Sequence, residues 1–260
     1  MHLILTGATG LVGSGILDAM IKNKAVTKIS ILSRRPVGMA DAAHDPRINV
    51  ILHNDFTSYP PSVLDQLRDA QGCVWALGVS QNQVTEPEYV EITKTYALNA
   101  ATAFQSLDET KKQPFNFIFI SGHGATFTPG RLTPLFGRVK GETELALAEM
   151  RRRNPLLRAS TARPCAIDWT RHEAIWPFMP RQEGYKAGLM GRGILAAIRV
   201  GYKSLSAPTE ELGRFVTDMA LGRYEGEEGV QVAKKAGVEV LEGGFQVVDN
   251  ASFRKLSGLD

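Results

Sequence analysis

The stretch Leu3-Ile4-Leu5-Thr6-Gly7-Ala8-Thr9-Gly10-Leu11-Val12-Gly13 joins a short apolar run to three glycines that lie three residues apart. Apolar residues then recur at helical spacing from Leu11 to Ile21. The order of strand, glycine turn and helix directs the free N–H groups of the first helical turn toward any ligand above them. Those donors and the helix dipole favour an anion. The stretch therefore predicts a strand that leads into a phosphate-binding turn.

Apolar runs alternate with helical patterns along the next 150 or so residues. After the first strand, the predicted strands are Val26–Leu32, Ile48–Leu52, Cys73–Gly78, Phe115–Ile120 and Leu157–Arg163. The predicted helices run from Pro60 to about Ala70, from Glu88 to about Thr110, and from about Pro134 to Arg153. This alternation predicts an α/β fold, in which helices flank a doubly wound, mostly parallel sheet with right-handed crossovers.

The pattern is less regular after Pro164. A loop rich in Trp, Pro and Met is expected from Arg171 to Gly184. An earlier polar loop, before the third strand, is expected around Gly38 to Pro46. The remaining predicted elements are a helix from about Tyr185 to Val200, a helix over Thr209–Leu221 with Thr209 as its N-cap, a strand over Phe245–Val248, and a short helix after Asn250. We expect one domain over residues 1–260, to which residues 165–260 contribute a small cap on the substrate side.

Composition and charge argue against nucleic-acid binding. The chain has 260 residues, 43% hydrophobic and 22% charged, and its net charge of +3 is dispersed. The one dense basic run, Arg151–Arg153, ends a predicted helix, where it is expected to be solvated and to complement the helix dipole. No nucleic-acid partner is therefore expected.

Cysteine usage and hydropathy point to a soluble chain. Cys73 and Cys165 lie in apolar surroundings and are expected to be buried thiols, with no metal site. No apolar run approaches the length that spans a membrane, so no membrane partner is expected, and we expect a cytoplasmic protein.

The glycine spacing and two later motifs resemble a known superfamily. Thr6-Gly7-x-x-Gly10-x-x-Gly13 resembles the nucleotide loop of short-chain dehydrogenase/reductases. Lys140-Gly141-Glu142-x-Glu144 and Arg163-Pro164 resemble an atypical subgroup related to nucleoside-diphosphate-sugar epimerases. The resemblance covers residues 1 to about 170. It implies a Rossmann fold with a nicotinamide cofactor at the carboxyl ends of the strands.

The end of the second strand points to the kind of cofactor. Proteins that select NAD place a carboxylate there, whereas an arginine accommodates the 2′-phosphate of NADP. This chain has Ser33-Arg34-Arg35 and no acidic residue at that point. A guanidinium suits a phosphate in shape and in charge, so the expected cofactor is NADP(H). One of the two arginines is expected to be only a surface charge.

The resemblance implies the rest of the cofactor site. Asp55-Phe56 matches the position that holds the adenine ring, although a loop-capping aspartate is an equal alternative. Ala76-Leu77-Gly78 matches the turn that passes under the cofactor. The full expected set is Gly7, Thr9, Gly10, Leu11, Val12, Gly13, Ser33, Arg34, Arg35, Asp55, Phe56, Ala76, Leu77, Gly78, Lys140 and Pro164.

The reaction centre departs from the superfamily pattern of Ser, Tyr and Lys. Lys140 is present, but Phe136 occupies the tyrosine position, and Ser-Ser after the fifth strand reads Ser121-Gly122. The candidate catalytic residues are therefore Ser121, His123 and Lys140. His123 is the candidate replacement proton donor, because imidazole titrates near neutral pH. The alternative is an ordinary loop histidine between glycines.

Three functions remain open at this point. The first is an NADP(H)-dependent oxidoreductase acting on a small hydrophobic carbonyl or alcohol. The second is a non-redox isomerase or dehydratase with His123 or Asp168 as acid and base. The third is a binding protein that senses NADP(H) or holds a partner. An apolar patch of Trp169, Trp176, Phe178 and Met179 is read as a lid, as ordinary packing or as a contact in a homodimer.

Overall fold

The fold is built on one eight-stranded sheet. In this computed structural model, which describes residues 1–107, 113–180 and 188–260 without the side chains of 188–190, the strand order is β3-β2-β1-β4-β5-β6-β10-β9. All neighbours are parallel except β9, which runs antiparallel to β10. The strands are β1 His2–Thr6, β2 Lys28–Ser33, β3 Ile48–Leu52, β4 Ala70–Trp75, β5 Phe115–Ile120, β6 Leu157–Arg163, β9 Glu239–Val240 and β10 Gln246–Asp249. A separate parallel pair joins β7 (Ala166–Asp168) to β8 (Ser206–Pro208).

Helices cover both faces of the sheet. They are α1 Leu11–Lys22, α2 Gly38–Ala43, α3 Pro61–Leu67, α4 Glu86–Val90, α5 Tyr96–Phe104, α6 Leu135–Arg153, α7 Gly188–Gly201, α8 Thr209–Ala220, α9 Gly226–Ala236 and α10 Asn250–Leu256. A π-helical turn, Glu91–Thr95, joins α4 to α5. The predicted doubly wound, mostly parallel α/β sheet is confirmed.

The alternation of strand side chains divides the core between the two faces. Leu3 and Leu5 of β1 pack with α1 and α8 on one face, whereas Ile4 between them packs with α3, α5 and α6 on the other. In β5, Ile118 points to the first face, and Phe117 and Phe119 point to the second. β5 is buried on both faces and is apolar at every position except Asn116, which is why the sequence revealed it.

Helices α1 and α8 approach each other so closely that their contact requires glycine. A Cβ added at Gly213 would lie 2.3 Å from the carbonyl oxygen of Gly15. No side chain fits there without separating the two helices. This contact connects the C-terminal part of the chain to the helix that follows the glycine turn.

Several predicted boundaries and environments were wrong. The loop expected around residues 38–46 contains α2, and β4 is Ala70–Trp75, three residues before the predicted run. Thr209 is the first residue of α8 rather than its N-cap; its hydroxyl lies 3.0 Å from Nδ1 of His172. α9 and the short strands β7, β8 and β9 were not predicted. The predicted ends near Thr110 and Tyr185, and residues 181–184 of the predicted loop, lie outside the described residues.

Arg151 is not part of a solvated helix terminus. Its guanidinium is buried and forms a two-pronged pair with Glu225, at 2.8 Å and 2.7 Å. It also donates to the carbonyl oxygens of Ala159 and Gly243. Only Arg152 and Arg153 are exposed, and both pair with Glu149. Because Glu225 is 74 residues away, no local pattern indicates this contact.

The Trp and Met patch is packed rather than exposed. Trp169 is buried, and Trp176, Phe178 and Met179 pack against the same core. The indole N–H of Trp176 donates to the Trp169 carbonyl at 3.1 Å. The guanidinium of Arg192 covers both indole rings, with its carbon 5.4 Å and 5.0 Å from their centroids. Of the three interpretations, the structure favours ordinary packing.

We expect Gly213→Ala to lower the free energy of unfolding by about 1–3 kcal/mol, because the new methyl group overpacks the α1–α8 contact. Gly193→Ala is the matched control. Gly193 lies in α7, and an added Cβ there meets no atom within 4 Å, so its variant should gain up to about 1 kcal/mol from helix propensity. Urea unfolding measures both. Equal stability of the two variants would contradict the close contact.

Candidate functional site

One cleft runs along the carboxyl ends of the central strands. Its first half has a volume of about 600 Å³ and its second half about 630 Å³, each within the range of small-molecule sites. Gly10, Ala76, Leu77, Gly78 and Gln83 line both halves, so the halves are continuous. The first half adds Gly7, Thr9, Ser33, Arg34, Arg35 and Phe56, and the second adds Leu11, Val12, Gly13, Ser121, His123, Lys140 and Pro164. The structure thus brings together every predicted site residue except Asp55.

The glycine turn presents the start of α1 to this cleft. Gly7 has φ +70°, and a Cβ there would lie 2.3 Å from the carbonyl oxygen of Ala76. A Cβ at Gly13 would lie 1.9 Å from the carbonyl oxygen of Gly7. Gly10 caps α1 without a side-chain hydrogen bond. The N–H groups of the first turn are therefore free to bind an anion.

The two arginines after β2 have different surroundings. The guanidinium of Arg35 donates to the Thr9 hydroxyl at 3.2 Å, and its main-chain atoms bond the Ser33 hydroxyl. Arg34 is exposed and forms no hydrogen bond or ion pair with the residues that the structure describes. Arg34 is therefore the freer of the two to bind an anionic ligand, and Arg35 orders the rim of the glycine turn.

The surroundings of Asp55 fit the alternative interpretation, a loop-capping aspartate. Its carboxylate accepts hydrogen bonds from the Thr57 N–H at 2.9 Å, from the Thr57 hydroxyl, and from the Ser58 hydroxyl at 2.9 Å. These bonds to the following turn hold the pKa of Asp55 below its usual value. The carboxylate caps a local loop and does not line the cleft, whereas the neighbouring residue Phe56 does.

Lys140 and Ser121 form the polar centre of the second half. The Lys140 ammonium donates to the main-chain carbonyl oxygens of Ser121, at 2.6 Å, and Ile120, at 3.5 Å. Burial lowers the pKa of Lys140 to about 8, and the carboxylate of Glu144 opposes part of that shift. The Ser121 hydroxyl is buried and has no hydrogen-bond partner in the described structure. An unpaired buried hydroxyl beside a cleft indicates a ligand or water.

Relatives of the chain are named for biosynthetic gene clusters. Leucinostatins biosynthesis cluster protein T of Purpureocillium lilacinum is 31% identical over 244 residues, which span 85% of each chain. Botcinic acid biosynthesis cluster B protein 16 of Botryotinia fuckeliana is 39% identical over 164 residues, 63% of this chain and 99% of that protein. No protein-family model matches the chain.

Solved structures share the fold at low identity. A short-chain dehydrogenase/reductase of Saccharomyces cerevisiae superposes with a TM-score of 0.62 at 17% identity, covering 96% of this chain and 95% of that one. UDP-glucuronic acid 4-epimerase of Bacillus cereus, solved in complex with NAD, superposes with a TM-score of 0.58 at 13% identity, covering 96% and 76%. The chain therefore shares the fold of short-chain dehydrogenase/reductases, and it is a relative of leucinostatins biosynthesis cluster protein T.

The second half of the cleft departs from the Ser, Tyr and Lys pattern of short-chain dehydrogenase/reductases. Phe136 lines it without an exchangeable proton, and Gly122 leaves open a space whose Cβ position is 3.6 Å from the Lys140 nitrogen. His123 is exposed and lines the cleft. Its main-chain N–H donates to the Pro164 carbonyl at 2.9 Å. Asp168 does not line the cleft; it is buried and paired with Arg199 at 2.8 Å, which removes it as an acid or base there.

A buried ion pair connects the two superfamily motifs. Glu144 of the Lys-Gly-Glu-x-Glu run is fully buried and pairs with the guanidinium of Arg163. It also accepts from the Thr161 hydroxyl at 3.2 Å. The pair joins α6 to β6 one helical turn beyond Lys140, and so fixes the helix that carries the lysine.

The sequence did not reveal three further residues of the cleft. Gln83 lines both halves, Thr93 reaches the second half from the π-helical turn, and Cys165 lies beside Pro164. Cys165 is partly exposed rather than buried as expected, although desolvation still raises its pKa. A π-helical turn often marks a functional position, but it leaves no signature in the sequence.

The expected cytoplasmic location is contradicted by other relatives. FMP52 of Lodderomyces elongisporus, named as mitochondrial, is 24% identical over 92% of this chain and 95% of its own. Two further fmp52 proteins, 31% and 26% identical over 55% of this chain, carry the same designation. Among the described residues, every helix is too short or too polar to cross a membrane.

We expect one lysine to titrate apart from the others, with a pKa near 8, because burial disfavours the charged ammonium of Lys140. Below that pH the ammonium is charged, and above it the neutral amine predominates. Reductive ¹³C-methylation and NMR titration measure this, with Lys140→Arg to assign the signal. If all lysine signals titrated together, the desolvated environment would be contradicted.

Proposed function

We propose that this chain is an NADP(H)-dependent oxidoreductase that acts on a small hydrophobic carbonyl or alcohol. The observation that carries the proposal is the charge pattern of the continuous cleft. Arg34 and Arg35 lie in one half, Lys140 and His123 lie in the other, and none of the described lining residues is acidic. Such a cleft is suited to an extended anionic ligand.

The residues present fit a nicotinamide dinucleotide. The uncapped start of α1 is suited to the pyrophosphate, and Arg34 to the 2′-phosphate. Phe56 offers an apolar wall to the adenine, and the Ser121 hydroxyl supplies an unused polar group at the far end. Bound there, the cofactor supplies or accepts a hydride. The lysine would hold the nicotinamide ribose through its ammonium group.

The chain itself supplies the proton and excludes water. His123 lines the reacting half with its imidazole exposed to the cleft, and we assign it the donation of a proton to the developing alkoxide. Phe136, Phe119 and Ile167 give the same half apolar walls, which favour a hydrophobic substrate. The cluster names of the relatives support an intermediate of small-molecule biosynthesis as that substrate.

We expect the protein to bind NADPH more tightly than NADH, and Arg34→Ala to remove most of the difference. Loss of one charge-assisted contact worth about 1.5–3 kcal/mol weakens NADPH binding by roughly 10–100-fold. NADH binding should change little. Arg35→Ala is the matched control, with a smaller and less selective effect, and the double variant should show no preference. Titration calorimetry measures each affinity. Equal affinities in the unmodified protein would refute the arginine assignment.

We expect His123→Ala to lower kcat by at least about 100-fold, the usual contribution of a general acid, with NADPH affinity unchanged. Ser80→Ala, in the same half of the cleft, is the control and should keep its activity. The assay follows NADPH oxidation with a broad panel of aldehydes and ketones. No turnover by the unmodified protein would contradict the proposal. A large gain of activity in Phe136→Tyr would then identify a disabled reductase.

A further inference from the structure

The two edges of the main sheet differ in how they are protected. The edge strand β9 has two residues, Glu239 and Val240, one of them charged. The other edge strand, β3, has five residues, Ile48–Leu52, without a charge or a proline. Among the residues that the structure describes, no strand pairs with its outer side. Natural sheets usually protect such an edge with charge, proline or shortness, and only β9 follows that rule.

The backbone of β3 presents a regular set of free groups. The Ile29 N–H donates to the Arg47 carbonyl at 2.8 Å, and the His53 N–H donates to the Ser33 carbonyl at 2.9 Å. Because the pattern repeats every second residue, odd-numbered residues of β3 bond β2. The N–H and C=O groups of Val50 and Leu52 and the C=O group of Ile48 therefore point away from the sheet, whereas the Ile48 N–H donates to the Asp45 carbonyl at 3.0 Å.

The side chains of these three residues share one face. Ile48 and Val50 are half-buried against the core, whereas Leu52 is 62% exposed. Association of another strand with this edge would cover the exposed Leu52 side chain.

We propose that two copies of this chain associate through β3, antiparallel, about a twofold axis at Val50. In that register Val50 opposes its counterpart, and Ile48 opposes Leu52 of the other copy. The Val50 pair uses the outward N–H and C=O groups of both copies, as in the hydrogen-bonded pairing of an antiparallel ladder. In each Ile48–Leu52 pair the Leu52 N–H donates to the Ile48 carbonyl. No slip by one residue allows this, since the odd-numbered residues are already bonded to β2.

The side chains agree with the same register. Each Leu52 is covered by an Ile48, an apolar cross-strand pair. No like charges meet, because β3 carries none. Beyond its ends, Arg47 would face His53 of the other copy, and Arg47 is already neutralised by Asp45 at 2.6 Å. A twofold axis also closes the assembly at two copies, and the two sheets become continuous.

Sedimentation analysis over a wide concentration range tests this inference, which does not depend on the proposed reaction. The unmodified protein should rise from 28.4 kDa toward twice that mass. Leu52→Lys places a charge in the interface, and Val50→Pro removes an outward N–H that β2 does not use; both should remain monomeric. Val232→Lys is the matched control, because Val232 is 51% exposed on α9, and it should associate normally. A monomer at all concentrations, or association of both β3 variants, would overturn the proposal.

Amide hydrogen exchange on the unmodified protein provides a second test that needs no folded variant. Raising the concentration should slow exchange at Val50 and Leu52, while Asn49 and Ile51 stay unchanged because β2 already protects them, and Ile48 stays unchanged because its N–H already donates to Asp45. Unchanged exchange at Val50 and Leu52 would also overturn the proposal.

Discussion

The close approach of three backbone segments at Gly7 determines where the rest of the site lies. Main-chain atoms of Ala76 occupy the position that a side chain at Gly7 would need, and main-chain atoms of Gly7 occupy the position that a side chain at Gly13 would need. The first turn of α1 is thereby held against the ends of β1 and β4, with its donors facing the cleft. Helix α8 in turn packs on α1 through Gly213. The placement of α1 therefore also determines where α8 lies.

How much the sequence could predict depended on whether a residue's partners are local. The bounds of β5 and β6 were predicted correctly, because β5 is apolar at every position except Asn116 and Pro164 directly follows β6. The short strands β7, β8 and β9 were missed, since two or three residues carry no periodicity. Arg151 was misjudged because its charge is neutralised by Glu225, across 74 residues. Asp55 shows the opposite case: its partners Thr57 and Ser58 are local, and the sequence already offered a capping role as an equal alternative.

The same distinction between local and distant partners applies to the two halves of the candidate site. Motifs of fixed spacing located the half that contains the glycine turn and the two arginines almost completely, because such a turn depends on local backbone geometry. The reacting half depends on side chains from β5, α6, the loop after β6 and the π-helical turn. Their mutual positions are set by tertiary packing, including the buried Glu144–Arg163 pair. Thr93 and Gln83 therefore became visible only in the folded chain.

The way Lys140 is held has a consequence for how such a cleft can evolve. Its ammonium binds the carbonyl oxygens of Ile120 and Ser121, groups that every amino acid carries. Substitutions at positions 120–122 can therefore accumulate without displacing the lysine. Side chains at the second half of the cleft can therefore change while the lysine keeps its place. The chemistry of this cleft is thus open to replacement in small steps, with its ligand-holding half as the inherited part.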